Sequence, residues 1–66
     1  MKQSYRYRVV IEWSEADEAF IALVPAISGC ITHGDTRQEA AANIEEALEG
    51  VLEAMRANGI PIPSPN

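Results

Sequence analysis

Apolar and polar residues alternate one by one through the first third of the chain and later recur every three or four residues. This divides the sequence into a strand-forming part and a helical part. From residue 4 to 13 the period is two: Tyr5, Tyr7, Val9, Ile11 and Trp13 share one face, while Arg6, Arg8, Val10 and Glu12 share the other. That alternation predicts a half-buried strand. Its aromatic and aliphatic face is expected to meet a helix, and its arginine face to meet solvent or another subunit. Residues 14 to 18 are a polar turn. Residues 19 to 24 form a second strand, because Phe20, Ile21, Leu23 and Val24 are β-formers and the run stops at Pro25, which has no N–H for a ladder. The short connection between these strands implies a hairpin. Residues 25 to 29 form a loop ending in Gly29, and residues 30 to 33 a short third strand ahead of a turn at Gly34-Asp35.

From residue 37 to about residue 57, Ala40, Ile44, Ala47, Leu48, Val51, Leu52 and Met55 fall on one helical face, with Glu45, Glu46, Glu49 and Glu53 opposite. A helix of this length is about 31 Å long at roughly 1.5 Å per residue, enough to cross a small sheet. Its start is marked by Thr36-x-x-Glu39, a capping box. The Thr36 hydroxyl accepts from the Glu39 N–H, and the Glu39 carboxylate is expected to reach back to the Thr36 N–H. Asn58-Gly59 supplies a left-handed stop. Gly50, in mid-helix, costs about 1 kcal/mol relative to alanine, and a close backbone contact would account for it. In Ile60-Pro61-Ile62-Pro63 the two missing N–H groups face one side, which suits a short edge strand that blocks further strand addition. The predicted fold is α+β with order βββαβ: a small sheet covered on one face by a single long helix.

Size and charge narrow the options. A chain of 66 residues is one small domain that buries only roughly 60% of the surface its unfolded form exposes, so its own core is marginal. One cysteine, Cys30, and one histidine, His33, supply neither an intramolecular disulfide nor a closed zinc site. Self-association into a homodimer or tetramer is therefore expected. Ten acidic against five basic residues leave a formal charge of −5, which repels phosphate backbones and disfavours direct nucleic-acid binding. The same charge suits a basic protein partner. There is no apolar run of membrane-spanning length and no signal-peptide pattern, so no membrane association and a cytoplasmic location are expected.

Catalytic chemistry finds little support. Glu12, Asp17, Glu18 and Asp35 lie near strand ends, but two-metal catalysis needs carboxylates that converge. Glu12 is on the strand face away from the core, Asp17 and Glu18 are in a turn, and Asp35 precedes a helix, where dipole and turn formation favour it. His33 lacks a nucleophile or orienting partner, and Cys30 lacks a histidine base and an electropositive setting. Their plainer roles are a surface strand-end histidine and a small buried hydrophobe. Tyr5, Tyr7 and Trp13 resemble base-stacking residues, yet the net charge opposes that use and the helix must cover their face. No cofactor is implied.

Five pieces in order carry a family likeness: Tyr7-x-Val9 opening a strand, Val24-Pro25-x-x-x-Gly29-Cys30, Gly34-Asp35-Thr36-x-x-Glu39-Ala40, Asn43-Ile44-x-Glu46-Ala47 and Gly59-Ile60-Pro61-x-Pro63. Together they resemble the HicB-like antitoxin family over nearly the whole chain. The resemblance implies a partial RNase H-like fold, without enzymatic activity, that binds and neutralises a HicA-type toxin. Such toxins are small basic mRNA interferases, so a partner with charge −5 is suited to cover one. On this reading Glu45, Glu46, Glu49 and Glu53 are candidate partner-binding residues that mimic RNA phosphates; an ordinary solvated helix face explains them equally well. Thr36, Glu39, Gly29, Gly34 and Gly59 have structural roles. The chain departs from the family in two places. Many members carry a C-terminal DNA-binding domain with no counterpart here, and the position after Pro25, commonly acidic, is Ala26. The alternative function is a stand-alone structural or regulatory oligomer without a toxin, and a weaker third is a vestigial magnesium nuclease.

Overall fold

A computed structural model describes residues 6–63. Its elements are β1 (Val10–Ser14), β2 (Ala19–Leu23), β3 (Ile31–Gly34) and α1 (Arg37–Ala57). The strands form one antiparallel sheet in the order β1-β2-β3. The register places Ile11 beside Ala22 and Thr32, and Trp13 beside Phe20 and Gly34, on the face turned toward α1. Ala40, Ile44, Leu48 and Leu52 form the buried line of the helix. They pack with Tyr7, Ala22, Val24, Ile27 and Cys30 into one core, bordered by half-buried Val9, Ile11, Phe20, Val51 and Met55. The α+β expectation therefore holds, as a sheet of three strands under one long helix.

Both helix ends follow from their sequence. Thr36 is extended, at φ −130° and ψ 164°, and its side chain accepts from the Glu39 N–H at 3.0 Å. The Glu39 carboxylate accepts from Asp35 at 2.8 Å, one residue earlier than the capping-box pattern predicts. At the far end Gly59 N–H donates to the Arg56 carbonyl and Ile60 N–H to the Met55 carbonyl. These paired bonds make a Schellman motif around Gly59, whose φ of +68° few side chains tolerate. The loop between β2 and β3 is a double turn: Ile27 N–H donates to the Val24 carbonyl and Cys30 N–H to that of Ile27. Gly29, at φ +82°, is the left-handed corner of the second turn.

Four further expectations are corrected. Strand β1 begins at Val10 rather than residue 4; residues 4 and 5 lie outside those described. Pairing stops opposite Leu23 because β2 turns away into Pro25. Trp13 lies on the helix-facing side but is 48% exposed, since α1 packs mainly on β3 and β2 and scarcely reaches β1. Its ring and that of Phe20 meet edge to face, with centroids 5.1 Å apart, and the Arg37 guanidinium lies over the Phe20 ring, 4.8 Å from its centroid. Residues 60–63 form no strand. Two prolines leave only the N–H groups of Ile60 and Ile62, and that of Ile60 is already donated to the helix end. The segment is held instead by Ile62 packing on the core and by the Tyr7 hydroxyl, which donates to the Pro63 carbonyl. Finally, a Cβ on Gly50 would meet nothing within 4 Å, so no close contact explains that glycine.

Gly34 is the opposite case, because a Cβ there would fall 2.5 Å from the Ala40 backbone nitrogen. Gly34→Ala is therefore expected to destabilise by about 1–3 kcal/mol through overpacking. Gly50→Ala is expected to stabilise by about 1 kcal/mol through helix propensity. Urea unfolding of the two variants should move the midpoint in opposite directions.

Candidate partner-binding surfaces

Four of the five glutamates of α1, those after its first turn, form a stripe beside the buried line, and not all of them lie opposite it. Glu45, Glu49 and Glu53 follow one another at four-residue steps, and Glu46 sits three residues before Glu49 and seven before Glu53, so all four share one side of the rod. Glu46 and Glu53 are exposed, while Glu45 and Glu49, nearer the sheet, are half-buried. One carboxylate oxygen of Glu45, Oε2, is shielded from solvent and has no hydrogen-bond partner among the described residues. A donor brought by another molecule would satisfy it. The stripe thus has an exposed acidic crest and a partly desolvated acidic flank.

The residues weighed for catalysis are dispersed. Glu12 points from β1 to the sheet face away from α1. Asp17 and Glu18 are in the β1–β2 hairpin, where the Asp17 N–H donates to the Ser14 hydroxyl and that hydroxyl donates to the Asp17 carboxylate. Glu18 adopts φ +50° there, and Asp35 belongs to the helix cap. Among the described residues no three His, Cys, Asp or Glu side chains come close enough to hold a metal ion. His33 is exposed on β3, and its carbonyl accepts from the Asn43 side chain at 2.9 Å, tying strand to helix. Cys30 is free and buried, and burial pushes its thiol above the ordinary value. No helix among the described residues is long and apolar enough to cross a membrane.

A second surface escaped the sequence pattern. The sheet face turned away from α1 carries Val10, Leu23 and Ile31 in one row and Glu12, Ile21 and His33 in the next. Ile31 is 58% exposed, and a shallow open hollow beside the Pro25–Gly29 turn adjoins Leu23 and Ile31. Only the Arg6-Arg8-Val10-Glu12 side of the first strand signals this face by alternation, and it reads as polar. The available signal was in β2, where Ala19 to Val24 is apolar without interruption. An antiparallel strand with one wet face would alternate.

With fold and surfaces in hand, the relatives are informative. Residues 7–66 match the family described as HicB-like antitoxin of bacterial toxin–antitoxin systems. The chain is 42% identical over 62 residues to UPF0150 protein ssr1765 of Synechocystis sp., covering 94% of this chain and 77% of that protein. It is 38% identical over 61 residues to UPF0150 protein Ta0767 of Thermoplasma acidophilum, covering 92% and 87%. No solved structure gives a significant match. The chain belongs to the HicB-like antitoxin family.

The environment of Cys30 yields a direct check. A buried, protonated thiol reacts slowly with disulfide and alkylating reagents. At neutral pH the native protein should react with Ellman's reagent orders of magnitude more slowly than the protein in denaturant. Equal rates would show that the thiol is accessible in the folded chain.

Proposed function

We propose that this protein is an antitoxin subunit that neutralises a HicA-type mRNA interferase by stoichiometric binding, without catalysis or a cofactor. The observation that carries the reading is family membership over residues 7–66. A net charge of −5 supports it, because a toxin that grips RNA presents a basic surface. The crest of α1 is the contact surface in this reading: Glu46 and Glu53 draw the toxin in, and Glu45 and Glu49 meet donors at its margin. RNA is then kept out by occlusion, and the antitoxin needs no affinity for nucleic acid. The partial RNase H-like relationship and a cytoplasmic location belong to the same proposal.

A second reading, a stand-alone structural or regulatory oligomer, is favoured by one observation, the apolar outer face of the sheet. Co-purification with the product of an adjacent small basic reading frame separates the two. The antitoxin reading predicts a defined complex in which RNA cleavage stops at a fixed molar ratio. No complex, or cleavage unaffected at molar excess, would leave the oligomer reading.

The contact surface is tested within that complex. Glu46→Lys combined with Glu53→Lys should slow association by about tenfold at low salt, with a smaller effect as ionic strength rises. Rates measured by surface plasmon resonance that match wild type across the salt series would move the interface off the helix.

A further inference from the structure

The sheet face turned away from α1 has an arrangement that specifies what covers it. In register, its rows across β1, β2 and β3 are Val10–Leu23–Ile31 and Glu12–Ile21–His33. Four of these six side chains are branched aliphatics, where a solvated antiparallel face is ordinarily polar. The two that are not are an acid on one edge strand and a histidine on the other, in the same row. We propose that this face is the interface of a two-fold homodimer in which the sheets pack face to face about an axis parallel to β2.

The choice of axis follows from the register. A closed homodimer presents the same patch from both copies. With the axis along β2, β1 of each copy lies over β3 of its partner. Glu12 then faces His33 of the second copy, and His33 faces its Glu12, so each carboxylate meets an imidazole N–H donor twice over. Val10 faces Ile31, also twice, while Ile21 and Leu23 meet their own counterparts on the axis. An axis across the strands, between the two rows, keeps β1 on β1. It would set Glu12 against Val10 and His33 against Ile31, burying polar groups on aliphatic ones. Matching an acceptor with a donor, and aliphatics with aliphatics, therefore selects the strand-parallel axis.

Packed sheets lie about 10 Å apart and are rotated by about 30°. One strand spacing from the axis, that rotation displaces facing residues by only about 2.5 Å, within the reach of a glutamate and a histidine. Within a single copy Glu12 and His33 are separated by two strand spacings, about 9.6 Å. Their pairing is thus a property of the dimer alone. The acidic stripe is on the helix, on the other side of the sheet layer, where it neither enters the interface nor is covered by it. The inference stands apart from the toxin reading, and the sedimentation arms of its test need only this chain.

The test is sedimentation equilibrium over a wide concentration range, with circular dichroism to confirm folding. The variants alter Glu12, His33 and Ile31, all exposed in the single chain, so folding should survive. Wild type is expected to pass from monomer to dimer mass as concentration rises. Ile31→Asp, introduced twice per interface, should leave a folded monomer. Glu12→Lys and His33→Glu should each weaken the dimer by about tenfold. The double swap, Glu12→Lys with His33→Glu, should recover most of the loss because the pair is re-formed across the axis. A wild-type protein that is monomeric at every concentration overturns the proposal, as does a dimer indifferent to Ile31→Asp. A double swap as weak as the sum of its singles overturns the strand-parallel axis. A monomer that loses toxin binding on Ile31→Asp would overturn the dimer and give the face to the toxin.

Discussion

The approach of the end of β3 to the first turn of α1 sets the rest of the architecture. Gly34 lies so close to Ala40 that only a residue without a side chain fits, and two hydrogen bonds hold the approach on either side. The Glu39 carboxylate accepts from the Asp35 N–H, and the Asn43 side chain donates to the His33 carbonyl. The helix therefore enters over β3, and its buried line from Ala40 to Leu52 runs on across β3 and β2. Trp13, on the strand farthest from this anchor, is left half-covered and takes Phe20 as its support. A larger residue at 34 would lift the helix at its start and loosen every contact downstream.

Features determined by neighbours in sequence were legible from sequence. The helix bounds, the Thr36 cap, the Gly59 stop and the hairpin connecting the first two strands all depend on residues within a few positions of one another, whereas the start of β1 at Val10 does not. Features decided by competition for one group or by distant packing were not. The Ile60 N–H could serve an edge strand or the helix end, and the helix end was already in place beside it. Trp13 follows the alternation of its strand, but how far the helix reaches across the sheet depends on where Gly34 lets it sit. Gly50 has the same residue type as Gly34 and no comparable contact, so identity alone cannot tell a required glycine from a tolerated one. The glutamates were legible as a group, while the division into exposed Glu46 and Glu53 and half-buried Glu45 and Glu49 needed the true angle of the helix on its sheet.

A two-layer domain offers two broad surfaces, and this chain treats them differently. The helix layer is acidic on its outer side and suited to long-range attraction, which governs how fast a charged partner arrives. The sheet layer is aliphatic on its outer side and suited to short-range burial, which governs how long a partner stays. Because the layers face opposite ways, occupancy of one leaves the other geometrically free. In so small a chain, separate surfaces let charge and apolar area each be concentrated without one diluting the other.

The sheet pairings and the closest helix approach join elements adjacent in the chain: β1 with β2, β2 with β3, and β3 with α1. The bond from Tyr7 to Pro63 spans 56 residues and stands apart. Closing so long a loop is entropically costly until the intervening elements are in place, so this clasp forms late in folding. It is also among the first contacts to open in the native state. The lower-stability region of the molecule is then the corner where Tyr7 meets Pro63, well away from the Gly34–Ala40 anchor. A protease or an unfolding force would begin its work at that corner, with the sheet and helix still joined behind it.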